Sequence, residues 1–173
     1  MNQLEKIYSS LTKFSDLNWD EVSREYAKVE SKISFPEYLQ IKSEEGDCPE
    51  YLFELAFYEM ARAEINNSQF TPPTSTGVFL NPTALFLSLQ FDIEKMLKDA
   101  EIGKIEIHER AHVLCLYRDQ KNSFRSVEVD EEALNILEHL EDGPQKDLKF
   151  LGDKDHKEFL NLVNLQIVFN ITN

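Results

Sequence analysis

The chain has 173 residues, of which 42% are hydrophobic and 29% are charged. This length suits one domain or two small ones, and the hydrophobic share is large enough for a buried core, which argues against a wholly disordered chain. The 32 acidic and 18 basic residues give a formal net charge of −14, spread over both halves of the chain. A surface this negative repels phosphate backbones and anionic membranes, so the composition disfavours nucleic-acid binding.

The predicted location is the cytoplasm. No apolar run approaches the roughly 20 residues that a membrane-spanning helix needs. Residues 1–6 lack the basic and then apolar order of a signal peptide. Cys48 and Cys115 lie far apart, and neither belongs to a Cys-x-x-Cys pair. We therefore expect two reduced thiols in a cytoplasmic protein.

The N-terminal part of the chain, residues 1–70, is predicted to be a helical domain. Apolar residues at spacings of three and four predict a helix over residues 2–14, and Asn18 or Asp20 can cap a second helix. Residues 36–41 form only a short apolar patch, and residues 43–47 are typical of a loop. Pro49 opens the strongest helix, residues 50–66, whose apolar arc is wide enough to make it central to this domain.

The C-terminal part, residues 78–173, is predicted to be an α+β domain after a hinge at residues 71–77. Alternating segments predict strands at residues 84–97, 104–108, 111–118 and 124–129, with a hairpin turn at Asn122, and residues 78–82 are short, extended and apolar. Residues 92–100, at the end of the first alternating segment, are helical in composition. Asp130 is placed to cap a helix that ends at Gly143-Pro144. Shorter helices are expected at residues 145–151 and 155–165, and a final strand at residues 166–171. The predicted fold class is thus α+β: a helical half, then a β-hairpin with three helices in a winged-helix-like order.

A possible metal site comprises His108, Glu109 and His112, which match the His-Glu-x-x-His pattern of zinc proteases. That pattern binds zinc only on a helix, where residues i and i+4 project from one face. The flanking residues alternate as in a strand, where i and i+4 stand about 13 Å apart. Glu106 is a further possible ligand, but the pattern as a whole favours ordinary surface histidines over a metal centre.

No catalytic constellation is recognisable. The chain has five glycines and no glycine-rich phosphate loop, and its many carboxylates carry no information in so acidic a sequence. Cys115 is three residues from His112, and in a strand these two side chains point to opposite faces, so we expect a buried, inert thiol. The sequence therefore predicts a protein that is not itself an enzyme.

The predicted hairpin and helices fit two kinds of binding. A winged-helix DNA reader would use residues 155–165 as its recognition helix, but the basic and amide side chains there (Lys154, Lys157, Asn161, Asn164) stand beside acidic ones (Asp153, Asp155, Glu158). A peptide-binding module would instead use an exposed strand such as residues 124–129, to which an extended peptide adds as the next strand. The acidic surface is compatible with the second use.

Three stretches resemble the HvfC/MbnC-like family, long described as putative DNA-binding domains. They are Phe35-Pro36-Glu37-Tyr38-Leu39 with the following PEYLFELAFYEMA (residues 49–61), then NPTALF (residues 81–86), then LCLYR (residues 114–118) with residues 127–143. The resemblance covers roughly residues 35–150 in the family's order. It departs at the N-terminus, where family members carry a longer helical region.

The resemblance implies a non-catalytic partner subunit of a TIM-barrel iron enzyme of the HvfB/MbnB type, which oxidatively modifies a cysteine of a ribosomally made precursor peptide. The iron would belong to the enzyme, and this chain would carry no cofactor. Its helical half would dock the enzyme, through Tyr51, Glu54, Tyr58, Glu59 and Arg62. Its C-terminal module would hold the leader of the precursor, through Phe124, Arg125, Ser126, Glu128, Leu160, Val163 and Arg118. Arg118 and Arg125 would pair with acidic leader side chains. A winged-helix DNA-binding regulator is the alternative, and a metal enzyme using His108, Glu109 and His112 is a third possibility.

Overall fold

The computed structural model describes residues 4, 8–14, 18–141, 143–152 and 155–171. Within these ranges the fold is mixed α+β, as predicted, with seven helices and two small antiparallel sheets. The helices are α1 (Leu11–Phe14), α2 (Trp19–Tyr26), α3 (Phe35–Glu44), α4 (Glu50–Asn67), α5 (Ile93–Glu101), α6 (Glu131–Glu141) and α7 (His156–Asn164). The strands are β1 (Gly77–Leu80), β2 (Leu85–Phe91), β3 (Glu109–Arg118), β4 (Phe124–Val129) and β5 (Val168–Ile171). No helix in the described ranges is long and apolar enough to cross a membrane.

The chain divides into two compact units whose boundaries are not contiguous in sequence. The first unit comprises residues 1–63 and 89–111, and the second comprises residues 64–88 and 112–173. This division differs from the predicted domains 1–70 and 78–173, because residues 89–111 group with the N-terminal helices. The physical reason is that Glu54 of α4 binds the backbone of residues 90 and 91, which attaches that segment to the first unit.

Aromatic packing organises the first unit around Phe35. The Phe35 ring lies 4.8 Å from the ring of Tyr8 and 5.2 Å from that of Tyr26, measured between centroids. Ser34 begins α3 with a capping box: its hydroxyl accepts from the Glu37 N–H, while the Glu37 carboxylate accepts from the Ser34 N–H. This capping box explains why residues 36–41, expected to be only an apolar patch, lie inside a helix.

The predicted N-terminal helices are confirmed in part. Asn18 caps α2 by accepting from the Glu21 N–H. The helix expected over residues 2–14 falls partly outside the described residues, and residues 8–10 form a bend and a turn, so α1 begins only at Leu11. The strong helix predicted at residues 50–66 is α4, which ends one residue later.

A two-stranded sheet in the second unit joins the start of the C-terminal part to its end. β1 pairs antiparallel with β5, and Phe79 faces Phe169. The other edge of β1 meets Gln145, which exchanges two backbone hydrogen bonds with Val78. Gly77 has φ +146°, and a Cβ there would lie 2.9 Å from the Gln145 oxygen, so only glycine fits this close approach. The helix predicted at residues 145–151 is wrong, since the backbone of Gln145 is held in this bridge.

A buried polar network lies directly after the end of β1. The Asn81 side chain donates to the carbonyls of Arg118 and Gln166, at 2.9 Å each. Its oxygen accepts from the backbone N–H and the hydroxyl of Thr83. The Thr83 hydroxyl in turn accepts from the Arg118 N–H. These bonds satisfy polar groups that burial would otherwise leave unpaired, and they fix the end of β3 against the turn at residues 81–84.

The second sheet has the strand order β2-β3-β4. The predicted hairpin is confirmed: β3 pairs antiparallel with β4, from Val113 opposite Val129 to Arg118 opposite Phe124. Asn122 takes the positive φ of 58° that the turn requires. The strand expected at residues 104–108 is wrong, because these residues form an irregular connection before β3.

The core of the second unit lies between one face of this hairpin and the last two helices. Cys115, Tyr117 and Val129 pack with the apolar faces of α6 and α7, which contribute Ala133, Ile136, Leu137, Leu140, Phe159 and Leu162. Asp130 caps α6 as predicted, with its carboxylate accepting from the Ala133 N–H at 2.8 Å. The described residues of this module hold two helices where three were expected. The winged-helix arrangement as such remains a hypothesis.

Candidate functional site

Strand β4 lies at the edge of its sheet. It pairs with β3 on one side, and no other strand of the described chain pairs with it on the other. The Asp119 N–H donates to the Ser123 carbonyl at 3.0 Å, directly beyond the Arg118–Phe124 pair. In an antiparallel ladder this makes Tyr117–Arg125 a hydrogen-bonded pair and the next pair, Leu116–Ser126, a non-bonded one. The backbone N–H and C=O of Ser126 therefore point away from β3, toward the open edge.

The side chains of β4 alternate between two faces. Arg125, Val127 and Val129 lie opposite Tyr117, Cys115 and Val113, on the face that carries the α6–α7 core. Phe124, Ser126 and Glu128 share the other face, as their spacing predicts. Phe124 is half-buried and Glu128 is exposed. The Ser126 hydroxyl is buried without a hydrogen-bond partner among the described residues.

A groove of about 260 Å³ opens where β4 ends. Its walls come from the end of β4, the first turn of α6 and one face of α7: Glu128, Val129, Asp130, Ala133, Glu158, Asn161, Leu162 and Leu165. Residues 158, 161 and 162 of α7 and Leu165, which follows the helix, line it at the spacing of a single helix face. The edge strand and this groove together, which we call the β4–α7 site, form the best candidate binding surface of the second unit.

Arg118 does not line the β4–α7 groove, and its guanidinium has partners within the second unit. Its guanidinium donates to the carbonyls of Ile65 and Asn66, at 2.9 and 2.7 Å, and to that of Asn122, at 2.6 Å. The Asn66 side chain accepts a further bond at 3.2 Å. Arg118 thus ties the last turn of α4 to the hairpin turn and uses four of its five guanidinium donors within the chain, which disfavours a role in binding an acidic peptide.

Arg125 also binds a partner within the second unit. Its guanidinium donates to the Asp119 carboxylate, with the Nε and Nη2 atoms both 2.8 Å from Oδ2. The other oxygen of Asp119 accepts from the backbone N–H groups of Lys121 and Ser123. The Ser123 N–H and the Arg125 charge hold the pKa of Asp119 below its ordinary value. This pairing uses two of the three guanidinium nitrogens of Arg125, which disfavours its predicted role in binding acidic leader residues.

The structure brings only part of the predicted peptide-binding set together. Ser126 and Glu128 lie on β4, and Glu128 also lines the groove. Leu160 is on α7 with 60% of its surface exposed, but it does not line the groove. Val163 lines a separate cavity with Pro72, Pro73 and residues of β5. Glu158 and Asn161 also line the groove, at a helical spacing of three, but the sequence reasoning treated them only as parts of a DNA-reading helix.

The predicted enzyme-docking residues of α4 are mostly inward-facing. Glu54 is 5% exposed and accepts from the backbone N–H groups of Gln90 and Phe91. Tyr58 is 4% exposed and donates to Glu94 at 3.0 Å. These two residues stabilise the first unit, and their burial disfavours a place on a docking surface. The other three differ: Arg62 is exposed, while Tyr51 and Glu59 are half-buried.

Both half-buried residues have contacts within the first unit. The Tyr51 hydroxyl donates to the Phe14 carbonyl at 3.0 Å. The Glu59 carboxylate accepts from the Ser10 N–H at 3.1 Å, and burial raises its pKa. Of the five predicted docking residues, Arg62 alone presents an exposed side chain.

The histidine pattern does not lie on a helix, as a zinc protease site would require. His108 precedes β3, while Glu109 and His112 lie within it, so the three residues are in an extended segment rather than on a helix. His108 instead meets Asp99, 2.8 Å from its Nε2, and Glu106, 3.8 Å away. The His108 hydrogen bond lowers the pKa of Asp99. Lys104 pairs with Glu106 at 2.8 Å, so a cation already balances this carboxylate.

Both cysteine thiols are protonated at neutral pH. Burial raises the pKa of Cys115 to about 12, and its side chain belongs to the core beside Tyr117. Burial also raises the pKa of Cys48, whose thiol donates to the Leu39 carbonyl. A nucleophilic cysteine needs a lowered pKa, so neither thiol has the environment of a catalytic residue.

The predicted DNA-reading helix corresponds to α7. Asp153 and Lys154, two of the residues weighed for that role, lie outside the described residues. Of the basic and amide side chains in α7, Asn161 donates to Glu158 at 3.0 Å and lines the acidic groove. This position gives Asn161 a carboxylate neighbour, whose negative charge disfavours the approach of a phosphate.

Comparisons with protein-family models and with curated proteins find no match for this chain.

Proposed function

We propose that this chain is a non-catalytic subunit that holds an extended precursor peptide on the open edge of β4 and presents a cysteine of that peptide to an iron-dependent modifying enzyme. The observation that carries the proposal is the position of β4 at the sheet edge, with the Ser126 N–H and C=O pointing outward beside the groove lined by α7. Backbone hydrogen bonds from such an edge bind any extended peptide, and neighbouring side-chain sites select among peptides.

The proposed module is the β3–β4 hairpin with α6 and α7, used as a winged-helix-like peptide-recognition element. A six-residue edge strand is long enough to add a peptide strand of ordinary length. Two other strands present an edge among the described residues. β5 pairs with β1 on one side but has four residues. β2, the other edge of the three-stranded sheet, has seven residues, but the N–H groups of Gln90 and Phe91 at its end donate to Glu54. The adjacent groove and an edge longer than that of β5 favour β4 as the peptide site.

The mechanism of such a subunit is proximity. A peptide held on β4 raises the effective concentration of its cysteine at the iron centre of the bound enzyme, without any new chemistry in this chain. The raised pKa values of Cys48 and Cys115 agree with this division of labour. We infer that the enzyme docks on the first unit, at the exposed part of α4 near Arg62.

The test is a pull-down of the tagged full-length chain from its native cells in mild salt, with mass spectrometry of proteins and peptides and an iron assay of the eluate. Three forms are compared: wild type, Ser126→Pro and Ser126→Ala. Proline removes the outward N–H of the edge, whereas alanine removes only the hydroxyl. Asn170→Pro on β5 is the matched control, because the same ladder rule points the Asn170 N–H away from β1.

We expect an iron-containing enzyme in every eluate and a short precursor peptide that Ser126→Pro alone loses, with unchanged thermal unfolding of that variant. Peptide retention by a folded Ser126→Pro protein contradicts edge-strand docking. An eluate that lacks an enzyme but is enriched in one DNA fragment overturns the proposal in favour of a regulator.

A further inference from the structure

The groove at the end of β4 has an acidic rim and an apolar floor. Three carboxylates stand at the rim, on Glu128, Asp130 and Glu158, and the described residues that line the groove include no lysine or arginine. Ala133 and Leu162, on the floor, are each 1% exposed. A site of this composition suits a side chain with an apolar stem and a positive end, which is the build of lysine and arginine.

Two of these carboxylates accept hydrogen bonds within the chain and can still accept further hydrogen bonds from a ligand. Asp130 uses one oxygen to cap α6, and Glu158 uses one to accept from Asn161. A carboxylate has about four acceptor positions, so each can receive further bonds from an ammonium or a guanidinium. The groove volume of about 260 Å³ is below the range of roughly 300–1,000 Å³ of small-molecule pockets, which favours a single side chain as its occupant.

The groove lies at a position that a side chain of a peptide paired with β4 can reach. An extended peptide beside β4 alternates its side chains between the two faces of the sheet. Every second one points to the face that carries Val127, Val129 and the α7 core. Val129 also lines the groove, so the peptide residue placed beside the end of β4 on this face projects toward the rim carboxylates.

We propose that the groove binds a lysine or arginine side chain of the extended peptide on β4, so that this site selects cationic peptides. This inference rests on the proposed function, and it reverses the expected charge preference, since Arg118 and Arg125 are held by partners of their own. The net charge of −14 acts in the same direction, because it attracts a cationic peptide from a distance.

The test is selection from a random library of synthetic peptides of roughly 10 residues, a length that spans an ordinary strand. Selection is run on the full-length wild-type chain and on the variant Glu128→Lys with Glu158→Lys. The matched control is Glu131→Lys with Glu138→Lys, which makes the same charge change at exposed positions of α6 outside the groove. Selected peptides are then measured for affinity to each variant and to Ser126→Pro.

We expect wild type and the control to select peptides with lysine or arginine at one fixed position. The groove variant should bind these peptides at least about tenfold more weakly and should select aspartate or glutamate at that position. Peptides that need the β4 edge, as judged with Ser126→Pro, but show no basic position overturn this inference and leave the proposed function standing. If no selected peptide depends on the β4 edge, the proposed function fails and this inference fails with it.

Discussion

The Arg125 guanidinium and the Asp119 carboxylate form an ion pair in which Nε and Nη2 both bond the same oxygen, at 2.8 Å. The second oxygen of Asp119 is left for the backbone N–H groups of Lys121 and Ser123 in the hairpin turn. One buried carboxylate therefore fixes both the turn and the side chain that follows it. Because the register of β4 depends on this turn, Asp119 indirectly determines which N–H groups face the open edge.

The Asp119→Ala substitution should destabilise the fold by about 2–3 kcal/mol, because it removes the acceptor of two backbone N–H groups and of Arg125. Arg125→Ala should cost less than about 1 kcal/mol, since the Arg125 side chain is exposed and the turn keeps its carboxylate. Urea unfolding of both variants at neutral pH measures the difference. Equal losses in the two variants would mean that the ion pair, rather than the turn, carries the stabilisation.

The contribution of Asp119 to the free energy of unfolding should depend on pH. Its pKa is lowered in the folded state by the Ser123 N–H and by Arg125, so its stabilisation is complete above the unfolded value of about 3.9. That stabilisation is lost as the pH falls through the lower folded value. We expect the difference in unfolding free energy between wild type and Asp119→Asn to be constant from pH 7 to about pH 5 and to shrink below about pH 4. A difference that grows on acidification would contradict this sign.

Replacement of Arg118 should affect stability and leave peptide binding unchanged. Its guanidinium donates to carbonyls of Ile65, Asn66 and Asn122, so Arg118→Ala should destabilise the second unit by about 2–3 kcal/mol. Arg118→Lys should recover little of this, since an ammonium cannot reproduce the planar fork. Lys149→Ala is the control, with an exposed side chain paired only to Asp147 in the described contacts. Peptide affinity lost in a folded Arg118→Ala protein would restore Arg118 to the binding site.

Glu54 gives the corresponding prediction for the first unit. Its carboxylate accepts from the N–H groups of Gln90 and Phe91 at 2.9–3.1 Å, and the residue is buried. Glu54→Ala should therefore cost about 3 kcal/mol, and Glu54→Gln less, because one acceptor oxygen remains. Glu50→Ala, an exposed residue in the first turn of α4, is the matched control. Thermal unfolding measures all three, and a loss of enzyme binding without a loss of stability would contradict the structural role.

The two thiols should react at different rates. Cys115 is fully buried with a pKa of about 12, so an aromatic disulfide reagent at pH 8 should modify it only after unfolding. Cys48 is partly exposed and should react in the native protein, slowly because burial raises its pKa as well. A Cys48→Ser protein should therefore show no native reaction and one thiol in denaturant. Rapid native reaction of this variant would place Cys115 outside the core.

Local patterns in the sequence were sufficient for several elements. The apolar spacing after Pro49 predicted α4, and Asn122 between two alternating segments predicted the β3–β4 hairpin. Asp130 before an apolar run predicted the cap of α6. In each case the information lies within a few residues, because helical and strand periods and turn conformations depend on near neighbours. The helix predicted at residues 145–151 failed because a distant residue, Val78, holds Gln145 in a bridge.

The sequence by itself determined the α+β class, the hairpin and the acidic charge of this protein. Only the tertiary structure decided the fate of individual polar side chains: Arg118 binds Asn66, 52 residues away, and Glu54 binds Gln90, 36 residues away. It also decided that β4 lies at an edge and that Glu158 and Asp130 share one groove. The physical reason is that hydrogen-bond partners and strand order are set by which distant segments meet on folding. Periodicity reports only which side of a segment is apolar, and it carries no information about what that side or its polar neighbours will contact.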